Sequence, residues 1–378
     1  MGSLYIHIPF CERKCVYCDF YSVESLHHTS EFLEALRAEI ALAGTGAPDE
    51  EIGTVYFGGG TPSLLTPSQL ESVLRALHAT FRISPHAEVT LETNPGTVTR
   101  DRIREFRRLG VNRLSIGIQS FFEDELKFLG RIHSVDEAVE CVRSAQAVGF
   151  DNVSIDLIYS LPGQRRERWE ENLGQAAALS PAHVSAYSLI VEEGTPLARM
   201  VASGQVRTSS TDDEAELYAC TMDFMDRSGF EHYEVSNYAS PGYRSRHNMA
   251  YWSHENYLGF GPSAHSFRRS AGHCSRWANV SNISSYLERL RNHELPIVFE
   301  EKVQGDQLVN ERIFLGLRST GLGLGRLRSE FGIDIAILRA PILHGLLEEG
   351  LALIRDEVLC LTSRGFLLCD EIAGRLMV

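Results

Sequence analysis

Short β-rich runs alternate with amphipathic helical stretches through the first half of this 378-residue chain. Such alternation predicts a parallel sheet with helices packed outside it, because each return to a parallel strand needs a helix-length crossover. Six strand–helix units are fewer than the eight of a closed barrel, so we expect an α/β fold with an open, partial (β/α)6 barrel. The predicted strands are 4–8, 54–57, 88–92, 113–118, 152–158 and 183–190, and the predicted helices are 31–43, 67–80, 99–109, 134–148 and 166–179.

The remaining sequence divides into two further parts. A helical pattern at 211–229 leads into a stretch rich in Gly, Asn and aromatic residues, which we interpret as an extension of the barrel. Beyond it, helical patterns, a short hairpin and a closing helix follow in an order typical of a winged-helix-like module. The predicted C-terminal elements are helices at 306–317, 325–331, 335–349 and 363–376 and a hairpin at 351–354 and 358–361. The expected domains are therefore the barrel at 1–210, its extension at 211–303 and a mostly helical, winged-helix-like module at 304–378.

Three cysteines directly after the first predicted strand, Cys11, Cys15 and Cys18, form the pattern C-x3-C-x2-C. Three thiolates on one short loop can ligate three irons of a [4Fe–4S] cluster and leave the fourth iron open for a substrate or cofactor. A structural zinc site, with His7 as a fourth ligand, is the alternative. Zinc sites often use paired C-x2-C units, and no second Cys pair follows, so the pattern favours the cluster.

The C-x3-C-x-aromatic-C motif resembles that of the radical S-adenosylmethionine (SAM) superfamily. Together with 4–11 (LYIHIPFC), 58–63 (GGGTPS) and 156–163 (DLIYSLPG), it resembles the oxygen-independent coproporphyrinogen III oxidase family, and within it the HemW branch. The resemblance covers nearly the whole chain and implies a partial (β/α)6 radical SAM barrel. It also implies that SAM binds the open iron through its amino and carboxylate groups.

The candidate SAM-binding residues stand at or near the ends of predicted strands, where parallel α/β barrels place their chemistry. The glycines at 58–60 let the backbone approach a ligand closely, and Glu92 at a strand end can accept both ribose hydroxyls. Asp156 interrupts an apolar strand and needs a partner, for which Arg131 is one candidate; Arg131 can instead meet the SAM carboxylate. The resemblance assigns to SAM the residues Tyr5, Tyr17, Gly59, Gly60, Thr61, Glu92, Gln119, Arg131 and Asp156.

The segment 246–252 (RHNMAYW) contains H-N-x-x-Y-W, which resembles the haem-binding motif of the HemW branch. A neutral imidazole is a good axial ligand for haem iron, and flanking aromatic rings suit the macrocycle. His247 is therefore the candidate haem ligand, with Met249 as an alternative ligand. A histidine among aromatic residues with no haem role is the other interpretation. The resemblance also places Ile190 and His265 near the position of a second SAM.

Two functions follow from the resemblance. The first is a haem chaperone that carries a [4Fe–4S] cluster and SAM and transfers haem to acceptor haem proteins, membrane respiratory proteins among them, with an electron donor serving the cluster. The second is an oxygen-independent coproporphyrinogen III dehydrogenase, which forms protoporphyrinogen IX by oxidative decarboxylation. That enzyme has a further cysteine where this chain has Phe20, and a longer segment before the cluster, so the chaperone is favoured. No catalytic residue is assigned, and the enzyme question stays open.

Composition excludes some other classes of function. A net charge of −14 argues against a protein whose main function is to bind the phosphates of nucleic acid. Eight cysteines, three of them clustered, suit a reducing compartment better than a disulfide framework. With no signal-peptide pattern and no apolar run of about 18 residues, we expect a cytoplasmic protein, with peripheral attachment to a membrane left open.

Overall fold

The computed structural model describes residues 1–44, 50–270 and 273–378 of the chain. Its strands are β1 Gly2–Ile8, β2 Ile52–Gly59, β3 Ile83–Thr93, β4 Arg113–Gln119, β5 Asn152–Tyr159, β6 His183–Ser188, β7 Glu231–Glu234, β8 Asn237–Ala239, β9 Tyr257–Phe260, β10 His265–Ser270, β11 His273–Asn279, β12 Ile297–Val303, β13 Leu322–Gly323, β14 Ala352–Arg355 and β15 Val358–Leu361. Its α-helices are α1 Thr29–Gly44, α2 Pro67–Thr80, α3 Arg100–Arg108, α4 Glu123–Leu129, α5 Val135–Ala147, α6 Arg166–Ala178, α7 Pro196–Ala202, α8 Thr211–Arg227, α9 Arg246–Trp252, α10 Ile283–Arg291, α11 Asp306–Leu317, α12 Leu324–Phe331, α13 Ile335–Leu338, α14 Ala340–Glu348, α15 Ser363–Phe366 and α16 Cys369–Leu376.

Strands β1 to β6 pair in chain order, each parallel to the next, and form the predicted partial barrel. Alternation along a strand sends successive side chains to opposite faces of the sheet. In β1, Leu4, Ile6 and Ile8 are buried in the core with the covering helices, whereas Tyr5 and His7 face the barrel interior. All six predicted strands are present. The helices α1, α2, α3, α5 and α6 lie where the sequence predicts them, and the short helices α4 and α7 were missed.

Further strands continue the barrel sheet at both of its edges. Strand β9 pairs parallel to β1, and β10, β11 and β12 follow in antiparallel order; at the other edge, β8 pairs antiparallel to β6, and β7 pairs with β8. In the described residues these strands complete a twelve-stranded sheet. The sequence predicted an extension of the barrel but not its antiparallel strands. The domain boundaries at 210 and 303 stay a prediction.

The C-terminal region is mostly helical, with a small sheet in the order β13-β15-β14. The predicted hairpin is present as β14 and β15. The predicted single helix at 335–349 is wrong: α13 ends at Leu338, and α14 starts with Pro341 in its first turn. Proline lacks an N–H and suits the first turn of a helix rather than its interior, so a new helix begins there. Among the described helices, none is long and apolar enough to cross a bilayer.

Candidate functional site

The cysteine loop follows β1 and is closed at its base by backbone hydrogen bonds. Cys11 N donates to Val23 O over 3.0 Å, and Val23 N donates to Pro9 O over 2.7 Å. Halfway round the loop, Val16 N donates to Leu129 O at the end of α4, and Cys18 N donates to Cys15 O. Cys11 and Cys15 are buried, and Cys18 is half-buried. The backbone therefore holds all three cysteines on one short loop at the carboxyl end of the barrel.

Two polar side chains donate to the thiols of this loop. Thr61 Oγ1 lies 3.6 Å from Cys11 Sγ, and Arg131 Nη1 lies 3.5 Å from Cys15 Sγ. Burial raises the pKa of the Cys11 thiol, and it raises the pKa of Cys18 to about 11, so binding of a metal has to displace these protons. Hydrogen-bond donors around sulfur suit the ligands of an iron–sulfur cluster. No group of three His, Cys, Asp or Glu side chains that could hold a metal ion is found within the described ranges.

The glycines after β2 are required by close packing. Gly59 has φ +107°, and a Cβ added there would lie 2.6 Å from the His7 ring. At Gly60 an added Cβ would lie 2.6 Å from Phe10 O, because the backbone N–H groups of Gly60 and Thr61 donate to Ile8 O and Phe10 O. These contacts bring the end of β2 against the cysteine loop and aim the buried Thr61 hydroxyl at Cys11.

Arg131 is the centre of a buried polar group beside the loop. Its Nη2 donates to Asn94 Oδ1 and to Gly117 O, each over 2.6 Å, and Asn94 Nδ2 donates to Thr61 Oγ1 over 2.9 Å. Arg131 Nε is buried and has no hydrogen-bond partner among the described residues. A buried guanidinium N–H without an acceptor is unfavourable, and a carboxylate is the acceptor that it pairs with most strongly. Arg131 therefore fits the carboxylate of SAM.

Gln119 joins this group at the end of β4. Its backbone has φ +71°, which lies in the left-handed region that non-glycine residues seldom adopt. An added Cβ at Gly117 would lie 2.9 Å from Gln119 Nε2 and 3.0 Å from Asn94 Oδ1, so the absent side chain of Gly117 gives both amides their space. Sequence reasoning missed Asn94, although it stands two residues after Glu92 at the end of the same strand.

Glu92 lies in the barrel interior and is held by two donors. Tyr56 OH donates to its Oε1 over 2.8 Å, and Gly59 N donates to its Oε2 over 3.2 Å. Burial, together with the nearby carboxyl of Asp156, raises the pKa of Glu92 to about 7. The carboxyl keeps lone pairs for further donors, so it fits the acceptor that a ribose needs. Tyr56 was not identified from the sequence, where it is one aromatic residue in an apolar run.

The carboxylate of Asp156 accepts hydrogen bonds from serine hydroxyl groups and not from Arg131. Ser115 Oγ lies 3.1 Å from both carboxylate oxygens, and Ser154 Oγ donates to Oδ1 over 3.2 Å. Burial raises the pKa of Asp156. The candidate pairing of Asp156 with Arg131 is therefore wrong, and Arg131 keeps its other predicted role. Asp156 pairs in register with Gly117, which places it next to the Arg131 group.

The two aromatic SAM candidates differ in position. Tyr17 lies in the cysteine loop beside Cys15, whose thiol contributes with burial to a raised pKa of the Tyr17 hydroxyl. Tyr5 faces the barrel interior, where its hydroxyl lies 3.1 Å from His7 Nδ1 and its ring stacks on that of Tyr56 at 6.2 Å. Tyr17 is therefore part of the cysteine loop, and Tyr5 is a neighbour of the Glu92 group.

His247, the candidate haem ligand, is only 1% exposed and stacks on Tyr56 with the ring centroids 4.9 Å apart. Its Nδ1 lies 2.7 Å from Thr54 Oγ1, and its Nε2 lies 2.8 Å from Tyr251 OH. Burial lowers the pKa of His247 to about 3, so the ring is neutral. Both ring nitrogens already have partners, so ligation of iron requires one of these hydrogen bonds to break. Haem binding by His247 stays a prediction.

A cavity of about 1010 Å³ lies between the β9–β11 face, α11 and the cysteine loop. This volume is at the upper end of the range of small-molecule sites, roughly 300–1,000 Å³. Sequence reasoning did not find this cavity, because its walls come from distant segments. Its lining includes Tyr5, His7, Phe20, Tyr251, His254, Tyr257, His265, Phe267, Arg276, Gln307, Asn310, Glu311 and Phe314.

Comparison with known proteins identifies the family of this chain. Residues 5–176 match the model of the radical SAM superfamily, and residues 303–368 match that of the HemN C-terminal domain. A Bacillus subtilis protein named heme chaperone HemW is 35% identical over 380 residues, covering 99% of this chain and 98% of that protein. A Mycobacterium tuberculosis protein of the same name is 36% identical, covering 99% of this chain and 94% of its own length.

Among solved structures, coproporphyrinogen III oxidase (HemN) from Escherichia coli, a radical SAM enzyme, matches with a TM-score of 0.84. The match covers 100% of this chain and 90% of that chain at 22% sequence identity, and it shows a shared fold. The end-to-end similarity to the HemW proteins is closer and covers nearly all of both chains. The chain therefore belongs to the HemW family of the radical SAM superfamily.

Proposed function

We propose that this protein is a haem chaperone, which binds haem and passes it to acceptor haem proteins while carrying a [4Fe–4S] cluster and SAM. The observation that carries the proposal is the similarity, along the full chain, to proteins named heme chaperone HemW. The site supports it because the cysteine loop and the polar groups around it suit the two cofactors.

Each part of the site has a task in this function. Cys11, Cys15 and Cys18 would ligate the cluster, which when bound would supply a binding site for SAM and the reductive chemistry that cleaves it. Arg131 donates to the carboxylate of SAM through the N–H that has no partner in the protein, and Glu92 accepts from the ribose hydroxyls. The buried setting excludes water from these charge-assisted hydrogen bonds, which strengthens them.

The dehydrogenase alternative has less support. The position two residues after Cys18 carries Phe20, which has no thiol and is 63% exposed. The solved oxidase shares the fold of this chain at 22% identity, and a shared fold does not transfer an activity. Acceptor haem proteins and an electron donor for the cluster complete this function.

The deciding experiment uses the full chain, purified and reconstituted without oxygen. We expect an iron–sulfur absorption band, a saturable new Soret band when haem is added, and transfer of that haem to an apo-haem protein such as apomyoglobin. The Cys11→Ala/Cys15→Ala/Cys18→Ala variant is the control and should lose the iron–sulfur band. Absence of saturable haem binding, or rapid conversion of coproporphyrinogen III to protoporphyrinogen IX with SAM and a reductant, would overturn the proposal.

A further inference from the structure

We propose that the haem macrocycle occupies the cavity between the β9–β11 face and α11, and that His265 is an axial ligand of its iron. This inference rests on the proposed function and specifies the place where haem is held. It differs from the sequence prediction, which assigned haem ligation to His247.

One wall of the cavity is a row of side chains across neighbouring strands. Phe267 on β10 pairs in register with Tyr257 on β9 and with Arg276 on β11, so the three side chains share one face of the sheet. His265 stands two residues before Phe267 on the same strand and therefore faces the same way. The wall consequently offers an imidazole next to two aromatic rings.

The opposite wall comes from α11 and the cysteine loop. Gln307 precedes Asn310 by three residues and Glu311 by four, and Phe314 follows them by four and three, so these side chains lie on one face of the helix. Phe20 adds an aromatic ring that is 63% exposed, a large apolar surface at the edge of the cavity. Aromatic rings on both sides suit a flat aromatic ligand, which can stack against them.

His265 differs from the other histidines at or behind the cavity wall because its ring is both exposed and without a partner among the described residues. The nitrogens of His7 lie 3.1 Å from Tyr5 OH and 2.8 Å from Tyr21 O. His254 makes no hydrogen bond with good geometry to a described residue, but it is only 4% exposed, stacks on Phe267 at 4.2 Å and has its Nε2 3.1 Å from a carboxylate oxygen of α11. The ring of His265 is exposed and makes no hydrogen bond to any residue in the described ranges.

The free nitrogens of His265 suit an iron ligand. A neutral imidazole has a lone pair on one ring nitrogen, which coordination requires, and within the described ranges no protein group occupies the ring nitrogens of His265. Arg276 is paired with Glu301 and Glu311 and stays in place beside the ring.

The H-N-x-x-Y-W motif contributes to the same cavity through its tyrosine. Tyr251 lines the cavity, and its hydroxyl lies 2.8 Å from Nε2 of His247 in the layer behind. His247 is therefore a positioning residue that fixes Tyr251 against the macrocycle. Its removal should change the affinity for haem without removing the axial ligand.

The test is a titration of the anaerobically reconstituted full chain with ferric haem, followed by absorption and electron paramagnetic resonance (EPR) spectra. We expect His265→Ala to weaken binding by roughly tenfold or more, since even outer-shell partners of metal ligands are worth 10–100-fold. Its histidine-ligated EPR signal should disappear and return when imidazole is added. His247→Ala should keep that signal. His344→Ala, an exposed histidine on α14, should bind haem like the wild type.

A second variant tests the cavity without touching the ligand. Gln307→Trp adds bulk at an exposed position of α11 and should weaken haem binding while leaving the EPR signal of bound haem unchanged. Wild-type affinity and spectrum in His265→Ala would overturn the inference, and loss of the ligand signal in His247→Ala would assign the iron to His247. Displacement of haem by SAM would assign the cavity to a second SAM. Failure of the wild-type chain to bind haem would instead refute the proposed function.

Discussion

Replacing Tyr56 by phenylalanine removes one hydroxyl, and with it the 2.8 Å hydrogen bond to Glu92 Oε1. A hydrogen bond to a charged group is worth about 1.5–3 kcal/mol, and one pKa unit corresponds to about 1.4 kcal/mol. The loss therefore raises the pKa of Glu92 by roughly one to two units above its value of about 7. At neutral pH the carboxyl becomes mostly protonated and can no longer accept both ribose hydroxyls of SAM.

The expected result is a shift in the pH dependence of SAM binding. In the wild type, affinity should rise with pH through a midpoint near 7, because the pKa of Glu92 in the free protein is about 7. In Tyr56→Phe the midpoint should move upward by roughly one to two units, and affinity should recover at high pH. Calorimetric titration of the reconstituted protein with SAM between pH 6 and 9 measures both curves.

Two controls accompany this experiment. Tyr243→Phe changes a partly exposed tyrosine outside the site and should leave the midpoint unchanged. Glu92→Gln removes the titrating group and should give weak binding that does not vary with pH through this transition. An unshifted midpoint in Tyr56→Phe would show that Glu92 does not control the binding of SAM.

Three further variants test other parts of the structure. Arg131→Gln should weaken SAM binding by roughly 10–100-fold in calorimetry, since it removes a charge-assisted pairing worth about 1.5–3 kcal/mol; unchanged affinity would contradict the assigned carboxylate contact. Gly60→Ala should lower the iron content after reconstitution, because its Cβ would lie 2.6 Å from Phe10 O, and full iron loading would refute that reasoning. Glu39 is buried with a pKa raised to about 7, against about 4.3 when unfolded, so it stabilises the native state at low pH and loses that contribution as pH rises to 7. We therefore expect the free energy of unfolding of the wild type, relative to that of Glu39→Gln, to be about 2–4 kcal/mol lower at pH 8 than at pH 5 in urea unfolding. An equal difference between the two proteins at both pH values would show that Glu39 does not titrate in this range.

The parallel strands were predictable because each is a short apolar run with its own boundaries. Strand β4 begins at Arg113 as predicted, and β5 begins at Asn152. The antiparallel strands β10 and β12 were missed, since HSFRRS and IVFEEKV contain charged residues and their pairing partners lie elsewhere in the chain. Pro341 indicates the division of the predicted helix at 335–349 into α13 and α14. The amphipathic pattern continues on both sides of this proline, and for that reason the sequence was interpreted as one helix.

The candidate site shows the same division between local and distant information. Glu92 was predicted as a site residue because a carboxylate at a strand end differs from its apolar neighbours, and the structure places it in the barrel interior. Tyr56 was not predicted, because the sequence of an apolar strand does not distinguish an aromatic residue of the core from one that faces the barrel interior. The cavity could not be predicted from the sequence, because Phe20, Phe267 and Phe314 are far apart in the chain and come together only when the sheet and α11 pack.

The cysteine loop has one further consequence for how its ligands can be exchanged. Its base is closed by backbone hydrogen bonds between Cys11, Val23 and Pro9. Because no side-chain atom takes part in these bonds, alanine or serine at the three cysteine positions should alter what the loop binds without opening its base.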